Sequence, residues 1–170
     1  MKDPSLLERL LPMPVDDRVR GHRLALWLFV PITLASLVRS ALHVFLTDGG
    51  AQSIATIPLD SFTPAGASAV VALFGQWGLS QALLALVFAV VLLRYRALLS
   101  LMYLLLLVEY AGRLAIGAMS PLPTEGTPPG GPGNVVMIGV AAVGLVLSLR
   151  WREGGTGPGP ETTHERAATQ

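Results

Sequence analysis

Apolar residues in this chain gather into four long runs, at about 24–46, 67–93, 97–119 and 134–149, separated by polar, glycine- and proline-rich segments. The runs do not alternate with the period of two that marks a half-buried strand. A helix needs about 20 mostly apolar residues to cross roughly 30 Å of hydrocarbon. The pattern therefore predicts an all-α integral membrane protein, an antiparallel four-helix bundle over residues 24–149, with no room for a second, soluble domain. The first run is too long for the apolar core of a signal peptide and is read as retained, with Pro31 a candidate kink. The second is longer than required, so it either tilts or emerges at its first turn. Arg94, Tyr95 and Arg96 form a very tight turn, which makes the second and third spans antiparallel neighbours. Residues 120–133 are too rich in proline and glycine to be helical throughout. The fourth span is short and extends by snorkelling of Arg150 and Arg152.

Residues 1–23 form a polar, basic N-terminal segment. Within it, residues 5–11 can make one or two amphipathic turns on the headgroups, stopped by Pro12 and Pro14. Residues 150–170 carry too little apolar surface to fold and read as a disordered tail.

Composition agrees with the membrane reading, since 14% of residues are charged and 52% hydrophobic, against roughly 25% charged in soluble domains. The absence of cysteine excludes disulfides, thiolate metal sites and thiol-based redox chemistry. The distribution of charge sets topology. Of twelve Lys and Arg residues, five precede the first span, two lie in the turn between the second and third, and three follow the fourth. The loops 47–66 and 120–133 have none. Cytoplasmic sides carry the Lys/Arg excess, so both termini are expected in the cytoplasm and both longer loops outside.

The two remaining cations, Arg39 and Arg113, lie inside spans. Ionisable groups there are rare and are functional-site candidates by default. At ~1.5 Å per residue, counting from Arg23 and from Arg96 puts both at one depth in the outer leaflet. Residues four apart share a helix face, so Arg39 stacks with His43, near Ser36 and Ser40, and Glu109 stacks with Arg113, flanked by Tyr110 and Gly112. Gln76 and Ser80 form a third such pair, near Trp77 and Gln81, placed one to two turns deeper. With Glu109 ionised and His43 neutral, about one positive charge is left over, and a buried unpaired charge is costly. Asp48 or Asp60 folding inward, a lipid phosphate, or a bound anionic ligand would each compensate it. A purely structural alternative stays open, in which Arg113 pairs with Glu109 along its own helix and Arg39 snorkels to headgroups. Gly139 and Gly144, and likewise Gly112 and Gly117, read as close-packing positions, and Trp77 as a possible wall of the cavity. A single intramembrane histidine beside one carboxylate falls short of a metal site. The scattered basic residues do not imply nucleic acid.

The stretch from Gly78, Leu79, Ser80 and Gln81 through Arg94, Tyr95 and Arg96 to Tyr110, Ala111, Gly112, Arg113 and Leu114, then Ser120 and Pro121, resembles the small DoxX-like four-span bacterial membrane proteins. An arginine late in the first span adds to the resemblance. It implies a compact bundle in the inner membrane, with Gly112 and Arg113 as the matching Gly–Arg pair, and association of some relatives with redox complexes that handle quinones or sulfur oxyanions. No redox centre is visible in this sequence.

Three functions remain open on sequence alone. The first is an outer-facing polar cavity lined by Arg39, His43, Gln76, Glu109 and Arg113 that binds an anionic or amphipathic small molecule (a lipid, quinone or oxyanion). The second is a membrane-embedded isomerase or quinone-linked oxidoreductase with Glu109 as acid/base. The third is a structural or assembly subunit of a membrane complex, or a homo-oligomer, with no ligand.

Overall fold

The computed structural model describes residues 5–150; Trp151, Arg152 and the segment expected to be a disordered tail lie outside them. The described chain is helical with no strand. Its elements are α1 (Leu6–Leu10), α2 (Arg23–Phe45), α3 (Pro64–Arg94), α4 (Leu99–Met119) and α5 (Gly130–Leu149), with short 3-10 turns at Leu59–Ser61 and Arg96–Leu98. α2, α3 and α5, and α4 together with the turn before it, are long and apolar enough to cross a membrane.

Local signals account for most helix ends. Ser5 caps α1 through a capping box, its hydroxyl accepting from the Glu8 amide while the Glu8 carboxylate accepts from the Ser5 amide at 2.7 Å. Thr63 caps α3, with Pro64 in the first turn, where a missing amide costs nothing. α4 stops at Met119, because Pro121 disfavours helix at Ser120. α5 begins at Gly130, four residues before the apolar run does. Pro132 falls in its first turn and so does not interrupt the helical ladder.

α3 packs mainly on α2, and α4 on α5. Contacts between α2 and α3 run in reverse order along the two helices: His43 meets Gly78, and Phe29 meets Phe88. The core centres on Phe29, whose ring lies edge-on to Phe88 at 5.3 Å and to Tyr103 at 5.4 Å. Tyr103 is fully buried, and its hydroxyl donates to the Ala25 carbonyl at 2.7 Å, which meets the need of a buried phenol for a partner. Two glycines permit the closest approaches. A Cβ on Gly78 would lie 2.6 Å from the Cβ of His43, and one on Gly144 would overlap the Tyr103 ring. Gly112, Gly117 and Gly139, expected as packing positions, have nothing within 4 Å of a built Cβ, so none of them is a point of close helix approach.

The two ends of the bundle are closed differently. At the arginine-rich end the segment before α2 acts as a strap. Pro12 is buried, the Ala97 amide donates to the Asp16 carbonyl at 3.2 Å, and the His22 amide donates to the Leu147 carbonyl at 3.0 Å. Arg9 Nη1 donates to the Leu149 carbonyl at 3.2 Å, supplying an acceptor at the end of α5 with a donor.

At the other end the 46–63 loop folds on the first turns of α3. Ala51, Ile57 and Leu59 form a small core with Ala67, Val70, Val71 and Phe74. α3, at about 46 Å, is longer than a bilayer core requires, and this loop is what its extra length supports. Gly49 and Gly50 take the left-handed φ values of 60° and 76° that the turn demands. Asp48 accepts from the amides of Gly50, Gln52 and Ser53 at 2.8, 3.1 and 2.7 Å. Partial burial works against its charged form, but those hydrogen bonds outweigh it and hold its carboxyl below the ordinary range. The Glu125 amide donates to the Thr56 carbonyl at 2.9 Å and ties in the second loop.

Candidate functional site

The intramembrane charges converge where α2, α3 and α4 meet in the half of the bundle next to the loops. Glu109 and Arg113 form the ion pair their helical spacing dictates. Arg113 Nε donates to Glu109 Oε1 at 3.1 Å and Nη2 donates to the same oxygen. The Arg113 guanidinium also crosses from α4 to α3, lying 4.8 Å from the centre of the Trp77 ring. Its other aromatic neighbour is Tyr110, at 5.3 Å.

Arg39 does not share that carboxylate. Its Nη1 donates to the Tyr110 hydroxyl at 3.0 Å, and its guanidinium carbon lies 5.6 Å from the Tyr110 ring centre. Tyr110, buried to 4% exposure, thus stands between two guanidinium groups. The sequence pattern marks Tyr110 only as a flanking residue. Its role as Arg39's partner depends on how α2 and α4 meet, which no local spacing encodes.

The remaining residues take separate places. His43 is buried, and its Nδ1 lies 2.8 Å from the Gly49 carbonyl. A carbonyl only accepts, so Nδ1 carries the proton. The imidazole packs on Trp77 at 4.8 Å and on Phe74 at 5.8 Å, which makes it the seat of the 46–63 loop. Gln76 is exposed on α3, and Ser80 turns its hydroxyl back to the Gln76 carbonyl at 3.2 Å. Gly78 lies against His43 and Gln81 lines a crevice with Arg39, so Gln76 lies on the loop side of Arg39 instead of one to two turns deeper. Ser36 and Ser40 donate to their own helix, at the Ile32 and Ser36 carbonyls. Asp48 is committed to its loop amides and Asp60 accepts from Gln52 Nε2 at 2.8 Å, so neither is directed at the arginines.

Gln81, which the sequence pattern marks only as a neighbour of the Gln76–Ser80 pair, has a more central place. It is 7% exposed, and neither its Oε1 nor its Nε2 has a hydrogen-bond partner; Arg39 Nε is in the same condition. Both line a small crevice of about 10 Å³, with Ser36, Leu84, Ala85, Phe88 and Glu109 as the other walls. The signal for Gln81 was present as a polar residue in an apolar run, but Gln76 carries the same signal, and only the helix register separates them.

Among the described residues no group of three or more His, Asp or Glu side chains could hold a metal ion. Fold and site together define a protein with four membrane-length apolar helices and a partly buried cluster of two arginines and one glutamate around the buried Tyr110. The chain matches no family model, no curated protein and no solved structure.

Proposed function

We propose that this chain is a multi-pass protein of the bacterial inner membrane, with both ends cytoplasmic, whose arginine cluster binds the negative group of a small anionic amphiphile. One observation carries the reading: two half-buried guanidinium groups within the apolar bundle have one carboxylate between them. Glu109 is taken by Arg113, while the charge of Arg39 meets only a neutral phenol. A cation left in this state in a low-dielectric site is costly, and an oxyanion is the partner that a guanidinium binds most strongly. α3 packs on α2 and α4 on α5, and Trp77 on α3 is 38% exposed beneath Arg113, so approach from the side would bring a headgroup to the arginines while its tail stays in lipid. The positive-inside distribution and the resemblance to DoxX-like proteins support the orientation and the membrane assigned. A lipid, an anionic quinone derivative or a small oxyanion on an apolar carrier meets these requirements.

Native mass spectrometry of protein purified in mild detergent tests the proposal. Wild type is expected to carry a bound amphiphile that the Arg39→Leu/Arg113→Leu variant lacks, with equal insertion of both. A wild-type protein without ligand, or the same ligand on both forms, overturns it and leaves the structural-subunit reading.

A further inference from the structure

Beneath the arginines, the Gln81 crevice holds chemistry that anion binding does not use. Three of its buried side-chain atoms lack partners: Gln81 Oε1, Gln81 Nε2 and Arg39 Nε. Leaving a buried amide unpaired is expensive, and more so in hydrocarbon, so groups like these meet a partner. The space available, about 10 Å³, is that of roughly one water. Its lining residues carry donors, Arg39 Nε and Gln81 Nε2, and acceptors, Gln81 Oε1 and the Glu109 carboxylate. The Ser36 hydroxyl has already donated to the Ile32 carbonyl and can only accept. A halide would leave the acceptors bare and face Glu109, while a metal ion would face Arg39. The group that matches both sets of partners is neutral, donates and accepts, and is no larger than a hydroxyl.

We propose that this crevice is a binding site for one water molecule, held by Gln81 between Arg39 and Glu109. The water joins α2, α3 and α4 at a level about 20 Å along α3 from Arg94. It also lets Glu109 serve both arginines, Arg113 directly and Arg39 through the water. Gln81 is then a positioning residue for Arg39, and the assignment stands whether or not an anion binds above it.

The sign of one substitution tests this. In a dry crevice, Gln81→Leu deletes two unpaired polar atoms and adds apolar packing, so the melting temperature rises. In a hydrated crevice it strips Arg39 Nε of its partner, and we expect a fall of roughly 3–9 °C. Gln81→Glu places a carboxylate beside Arg39 and is expected to melt at or above wild type. Solid-state NMR in lipid nanodiscs is expected to show polarisation transfer from water to the Gln81 side-chain nitrogen. Gln81→Leu melting at or above wild type, Gln81→Glu melting below Gln81→Leu, or no transfer from water would each overturn the proposal. None of these results bears on whether the Arg39/Arg113 variant loses a ligand, so the two proposals fail separately.

Discussion

Gly144→Ala adds one methyl group where the structure has no room for it. The new Cβ would come within 3.0 Å of three ring carbons of Tyr103, too close for any real contact. Tyr103 cannot yield cheaply. It is fully buried, its ring packs edge-on to Phe29 at 5.4 Å, and its hydroxyl is fixed on the Ala25 carbonyl at 2.7 Å. Either α5 backs away from α4 or the ring swings and breaks its hydrogen bond. Overpacking costs about 1–3 kcal/mol, and losing the hydrogen bond about 0.5–1.5 kcal/mol. The better helix propensity of alanine returns about 1 kcal/mol. A net loss of about 1–3 kcal/mol is expected, roughly a 5- to 150-fold shift in the unfolding equilibrium. Gly139→Ala, on the same helix with nothing within 4 Å of its built Cβ, keeps only the favourable propensity term and is the control. Unfolding in mixed micelles of mild detergent and dodecyl sulfate, followed by tryptophan fluorescence, compares the two. Equal midpoints for Gly144→Ala and Gly139→Ala would refute the claim that Tyr103 and Gly144 set the approach of α4 to α5.

Gly78→Ala is expected to cost about 1–3 kcal/mol in the same assay, because its Cβ would meet backbone and Cβ atoms of His43, whereas Gly75→Ala, facing open space, is expected to be neutral or mildly stabilising. The pH dependence of the 46–63 loop follows from Asp48. Its folded carboxyl titrates below the ordinary range, so its contribution is fully present above about pH 4 and is lost as pH falls through the lowered folded value. Limited proteolysis within 46–63 is therefore expected to accelerate below pH 4 in wild type. In Asp48→Ala it should be fast already at neutral pH; equal protection of the two proteins at pH 7 would refute the capping role.

The apolar runs of this sequence determined its helices, because a membrane-length helix depends on local composition and satisfies its own backbone. The Glu109–Arg113 pair was legible for the same reason: a spacing of four is a contact within one helix and needs no knowledge of the others. Helix ends were less legible where a proline sat in a permissive first turn, as Pro132 does in α5. Only the tertiary structure decided what lies between helices. It gave Arg39 to Tyr110 instead of Glu109, set Gln81 and not Gln76 against the buried crevice, turned His43 to the loop carbonyl of Gly49, and made Gly78 and Gly144, but not Gly112 or Gly139, points of close approach. These outcomes depend on the rotation and vertical register of whole helices. Many weak contacts fix both, around Phe29, Phe88 and Tyr103, and no short stretch of sequence carries them.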